Sequence, residues 1–129
     1  MSGPRRILVI DDEESVARLL RDFLTFRGYQ VAVAGDGPEG LRQAGLGAFD
    51  LVTADLSMPG MTGVELLRSL KRARPEVQVV IISGYLTDEI AAECRAAGAA
   101  AVLAKPVELA ALGRLVAGLL GGNSGPERA

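Results

Sequence analysis

The chain has no histidine, a single cysteine (Cys94) and only two lysines, Lys71 and Lys105. Without histidine, and with one thiol, it cannot assemble the ligand sets that zinc ordinarily takes. One cysteine also rules out a disulfide framework and suits a reducing compartment. There is no long basic run, and a net charge of -2 argues against a nucleic-acid-binding surface. No apolar stretch approaches the ~20 residues of a membrane span, and none has the form of a signal-peptide core. The expectation is a soluble cytoplasmic domain with neither membrane nor nucleic acid as a direct partner.

What is present is enough for one core. With 129 residues, 49% of them hydrophobic, the chain is sized for a single domain and is too apolar for disorder. We expect one unit over 1–129, with a core at about 6–120, a loose lead at Met1–Pro4 and a flexible tail at 121–129. A short lead and a short tail favour a stand-alone protein.

Apolar runs alternate with helical periodicity along the whole chain. Ile7–Ile10, Val31–Ala34, Asp50–Ala54, Val77–Ile82 and Ala100–Ala104 read as strands. A helix follows each. The first carries Val16, Leu19, Leu20, Phe23 and Leu24, and Gly28 stops it. The second, about Pro38–Ala44, should be short and mobile, because Gly40 and Gly45 each cost roughly 1 kcal/mol against alanine. Thr62 and Glu65 form a capping-box signature for the third helix, which runs from Gly63 to Arg74. Thr87 caps a fourth that ends at Ala97, and Pro106 is placed as the first residue of the fifth. Five strand–helix units specify an α/β domain, a doubly wound parallel sheet with helices on both faces. Asp11, Asp12, Asp55, Ser83 and Lys105 all fall at strand C-terminal ends, so they converge on one edge of the sheet.

Three carboxylates at one edge repel: two of them ~4 Å apart cost about 4 kcal/mol at an effective dielectric near 20. A cation should therefore sit among them. Oxygen donors suit Mg²⁺, with Mn²⁺ or Ca²⁺ as alternatives. An aspartate is ionised at neutral pH and attacks without a general base, so Asp55 has the chemistry of an aspartyl-phosphate acceptor. Lys105 offers a point charge for a phosphoryl group, and Ser83 a hydroxyl donor. Taken singly, each residue also has a structural explanation. Acids at 11–14 answer a helix dipole, Asp55 suits a turn, and Lys105 suits a solvated surface. Cys94 and the methionines read as packing or turn residues.

The motifs ILVIDDE, DLVTADLSMPGMTG, IISG and LAKP together resemble the receiver domain of bacterial two-component response regulators, over about Arg6 to Leu120. The resemblance implies the flavodoxin-like, chemotaxis-regulator-like fold with strand order 2-1-3-4-5. It implies phosphorylation of Asp55 by a sensor histidine kinase or histidine phosphotransfer protein. It implies Mg²⁺ held by Asp12, Asp55 and the Ser57 carbonyl, with Asp11 acting through water, and contacts from Ser83 and Lys105 to the phosphoryl oxygens. It also implies a cis peptide between Lys105 and Pro106. Family members usually carry Tyr or Phe three residues before the lysine, where this chain has Val102. A stiff β-branched side chain cannot swing as an aromatic does, so the signal is expected to leave through the loop at 83–87 and the helix that follows it, with Tyr85 as reporter. The charged dimer face of the DNA-binding subtype is missing. Three other classes compete: an aspartyl-phosphate phosphatase, a flavin binder, and an interaction module that has lost phosphorylation.

Overall fold

A computed structural model describes residues 3–58 and 60–121. Ten elements alternate without exception: β1 (Arg6–Ile10), α1 (Glu14–Phe26), β2 (Gln30–Ala34), α2 (Gly37–Leu46), β3 (Leu51–Asp55), α3 (Gly63–Ala73), β4 (Gln78–Ser83), α4 (Asp88–Ala96), β5 (Ala101–Ala104) and α5 (Leu109–Leu119). All neighbouring strands pair parallel, in the order β2-β1-β3-β4-β5.

The period-2 alternation of each strand sorts the core into two layers. Leu8, Ile10, Val52, Ala54, Val79 and Ile81 face one way and pack on Ala44 of α2, Leu66, Leu67 and Leu70 of α3, and Cys94 of α4. Ile7, Val9, Leu51, Val80 and Ile82 face the other way, against Leu20 and Leu24 of α1 and Leu112 and Val116 of α5. The central strands β1, β3 and β4 are covered on both faces, which is why they read as unbroken apolar runs. Cys94 is fully buried, and burial is the largest cause raising its thiol pKa, with Glu93 adding to it. It is a packing residue, as expected.

Two helix boundaries differ from expectation. α2 is not short: it runs for ten residues, one more than α4. Asp36 caps it by accepting the Glu39 N–H at 2.8 Å. Gly40, counted as a weakness, is a seat. A β-carbon there would collide with Ile10 Cδ1 and stand 2.9 Å from Ile10 Cγ1, so a larger residue would force Ile10 or α2 to shift, and glycine lets α2 press onto the end of β1 as it stands. α5 begins at Leu109 rather than Pro106, because residues 106–108 are needed to turn the chain from the sheet edge onto the layer of α1 and α5. Val107 packs against that layer, and the Glu108 carbonyl accepts the first helical hydrogen bond, from Leu112 N–H at 3.0 Å. The Lys105–Pro106 bond is cis. Of the loose lead expected at Met1–Pro4, Met1 and Ser2 lie outside the described residues, and so do residues 122–129 of the tail expected at 121–129.

Candidate functional site

Each site residue is delivered by the end of a strand. Asp11 and Asp12 follow β1, Asp55 ends β3, Ser83 ends β4, and Lys105 follows β5. The Lys105 N–H donates to the Ser83 carbonyl at 2.8 Å, and the Asp11 N–H to the Ala34 carbonyl at 3.1 Å, so the ladders continue into the site.

The structure brings the three aspartates together: one carboxylate oxygen from each of Asp11, Asp12 and Asp55 lies within 4.8 Å of the others. Asp11 and Asp55 are buried, whereas Asp12 is exposed. Part of their negative charge is balanced by the protein itself. Lys105 Nζ stands 3.0 Å from Asp55 Oδ2, 3.1 Å from Asp11 Oδ2 and 2.8 Å from Glu13 Oε1. The other lysine serves the fold alone, since Lys71 Nζ donates to the carbonyls of Pro75 and Val77.

Backbone amides hold the carboxylates. Asp11 Oδ1 accepts the Glu13 N–H at 2.9 Å, and Asp55 Oδ1 accepts the Ser57 N–H at 3.0 Å, each an Asx-type turn. The turn explanation of Asp55 therefore accounts for one oxygen, while the other faces Lys105. The helix-dipole explanation suits Glu14, which lies in the first turn of α1, better than Asp11 or Asp12, which precede the cap.

Ser83 is placed differently. It is fully buried beneath the β4–α4 loop, and its Oγ accepts the Tyr85 N–H at 3.1 Å. Ser57 is exposed and lines the cleft above, about 280 Å³, together with Asp12, Glu13, Asp55, Gly84, Tyr85 and Lys105. A larger hollow of about 380 Å³ shares Asp12 with this cleft and is also lined by Asp11, but it opens beside Arg18 and Arg21, away from Asp55 and Lys105.

The residue that sequence reasoning did not single out is Glu13. It was one acid in a run of four. Nothing in the sequence marks it as the partner of a lysine 92 positions away.

Burial is the largest influence on Asp11 and raises its carboxyl pKa above 3.8, against the Glu13 N–H and Lys105, which lower it. Burial alone would pull the Lys105 ammonium down, but its hydrogen bonds to Glu13, Asp55 and Asp11 outweigh this and raise its pKa above 10.5. Because folded Asp11 holds its proton more tightly than the free carboxyl does, its ionisation costs stability above that pH and nothing below it. In chelator at pH 7, Asp11→Asn should therefore be more stable than the parent by roughly 1 kcal/mol. In urea titrations the gap should close as pH falls through 3.8. A gap that persists or widens in acid would remove burial of charge as its cause.

Three hard oxygen donors, two of them buried and backed by amides, fit a divalent cation of the Mg²⁺ or Ca²⁺ type.

Residues 7–117 match the response regulator receiver domain family. The chain belongs to that family. The receiver domain is 37% identical over 109 residues to the transcriptional regulatory protein ZraR of Klebsiella oxytoca, covering 84% of this chain and 25% of that protein. It spans about a quarter to under a half of the length of the curated relatives it matches. Its fold superposes on a CheY-like receiver domain protein from Methanospirillum hungatei with a TM-score of 0.90 and 31% identity, covering 92% of this chain and 95% of that one. A Burkholderia pseudomallei response regulator with a phosphorylated aspartic acid, a calcium ion and citrate gives a TM-score of 0.81 and 32% identity, covering 89% and 66%.

Proposed function

We propose that this receiver domain, acting as one unit, takes a phosphoryl group onto Asp55 from a histidine kinase or histidine phosphotransfer protein. The transfer requires Mg²⁺, for which Mn²⁺ can substitute. The observation that carries this reading is the ammonium of Lys105, set 3.0 Å from Asp55 Oδ2 at the floor of an open cleft. An Asp55 oxygen forms the new bond to phosphorus as the bond to the donor's leaving group breaks. Lys105 meets the charge of the transferred oxygens. Ser83 can add a hydrogen bond, since its oxygen is used as an acceptor by Tyr85 while its own hydrogen remains to be given. Asp12, Asp55 and the Ser57 carbonyl would hold the metal, with Asp11 acting through water. When bound, the ion supplies Lewis-acid neutralisation of the phosphoryl charge.

The related regulator with a phosphorylated aspartic acid and a calcium ion supports the reading. So does the chemistry of the alternatives. A phosphatase of this type wants a second acid two residues after the nucleophile, and exposed Ser57 stands there. A flavin phosphate would meet Asp12, Glu13 and Asp55 in the cleft. We place the domain in the cytoplasm and assign it no direct nucleic-acid or membrane partner. Among the described residues no helix is long and apolar enough to cross a membrane. The signal leaves through the loop at 83–87 and α4 after it, where Tyr85 is 79% exposed while Val102 packs half-buried against the layer of α2, α3 and α4.

Incubation with acetyl phosphate and Mg²⁺, followed by intact-protein mass spectrometry, tests the proposal. One phosphoryl mass should appear, and none in excess chelator. No gain, or a gain that ignores chelator, would overturn it.

A further inference from the structure

We infer that Glu13 is a positioning residue of this site: its carboxylate holds the Lys105 ammonium before phosphorylation and competes with the phosphoryl group for it afterwards. This rests on the reading of Asp55 as the phosphoacceptor.

An ammonium has three N–H donors. Here two are given in hydrogen bonds, to Glu13 Oε1 at 2.8 Å and Asp55 Oδ2 at 3.0 Å, and a third carboxylate oxygen, Asp11 Oδ2, stands in ion-pair contact at 3.1 Å. With three carboxylate oxygens within 3.1 Å of the ammonium, Lys105 has to loosen one of them when a phosphoryl group arrives. The three are not equally free to go. The side chains of Asp11 and Asp55 are 4% and 6% exposed, and each is tied to a backbone amide through its other oxygen. The Glu13 side chain is 58% exposed, so water can take over its carboxylate. Its backbone N–H, meanwhile, stays on Asp11 Oδ1, so the residue can swing its side chain without disturbing the turn that holds Asp11. The shortest of the three contacts is thus also the one most easily exchanged. Glu13 keeps the cation parked over Asp55 and gives it up on demand.

Two consequences separate this from a general effect of charge. Neutralising Glu13 should favour an occupied phosphoryl position more than neutralising Glu14, the adjacent exposed acid, which lies 3.7 Å from Arg18 instead. The excess should also need Lys105, because competition for an ammonium ends when the ammonium is gone.

Beryllofluoride, a phosphoryl mimic, can be titrated with saturating Mg²⁺ into the parent, Glu13→Gln and Glu14→Gln, following amide spectra. Glu13→Gln should bind about three- to fivefold more tightly than Glu14→Gln, the weight of one partly exposed ion pair. In a Lys105→Met background the two substitutions should become equal. Equal affinities with Lys105 present, weaker binding by Glu13→Gln, or an excess that survives Lys105→Met would each overturn the inference. Failure of the parent to bind beryllofluoride would instead overturn the phosphoacceptor reading, and the inference with it.

Discussion

Asp55→Asn should gain no phosphoryl mass from acetyl phosphate and Mg²⁺ under conditions that modify the parent to completion. The carboxamide is nearly the same size and can still accept the Ser57 N–H that orients Asp55 at 3.0 Å. The loop should therefore keep its shape. What is lost is the anionic oxygen that attacks phosphorus, and an amide is a very poor nucleophile. The other acids of the cleft are the natural rivals for the modification. Asp12 and Glu13 are more exposed than Asp55, but neither lies at the end of a strand beneath the lysine. Phosphoryl mass retained in Asp55→Asn, with the modified peptide mapping to 11–14, would move the acceptor to the turn between β1 and α1 and break the proposal.

Replacing Lys105 with Met should lower stability in chelator by about 3 kcal/mol, the scale seen when one partner of a buried ion pair is removed. On a domain of this size that shifts the thermal midpoint by on the order of 10 °C. Lys105 is 15% exposed and faces two side chains that are 4% and 6% exposed, so water screens the group poorly. Methionine keeps most of the aliphatic bulk, and what disappears is the charge. Since the ammonium's pKa lies above 10.5 in the fold, its contribution is complete at neutral pH and fades only in strong alkali. Mg²⁺ should return a larger share of stability to Lys105→Met than to the parent, because in the variant the ion meets uncompensated carboxylates. A midpoint within about 2 °C of the parent's in chelator would mean that the carboxylates relax without the lysine.

The sequence was most legible where short-range chemistry decides. The capping box at Thr62 and Glu65 is present with both hydrogen bonds, at 3.1 Å each, and Thr87 caps α4. Gly28 and Gly98 close α1 and α4 with positive φ. Strand ends were legible too, and with them the edge on which the acids gather, because a parallel sheet leaves no other place for them. Three features escaped. The start of α5 was set too early because proline at a helix start is a sound local rule, whereas the span needed to leave a sheet edge is a property of the whole layer. Gly40 looked like a propensity cost because the side chain it makes room for, Ile10, lies on another element. Part of the charge balance escaped for the same reason. The acids were counted as unrelieved, but the long Lys105 side chain reaches back over them, and a rotamer's reach is not written in sequence spacing.

Glycines stand behind both buried acids. Gly40 meets Ile10, the residue before Asp11, and at Gly63 a β-carbon would lie 2.5 Å from Leu56 Cα, the residue after Asp55. The strand ends that carry the carboxylates are thus backed by close packing from the rear, in addition to the amides and the ammonium that hold the carboxylates themselves. Geometry and electrostatics become separate dials. Substitutions at Asp12, Glu13, Ser57 or Tyr85 can retune how strongly the cleft binds, or for how long, while the frame holds still. An engineer adjusting the lifetime of a signal would work on that rim and leave the two glycines alone.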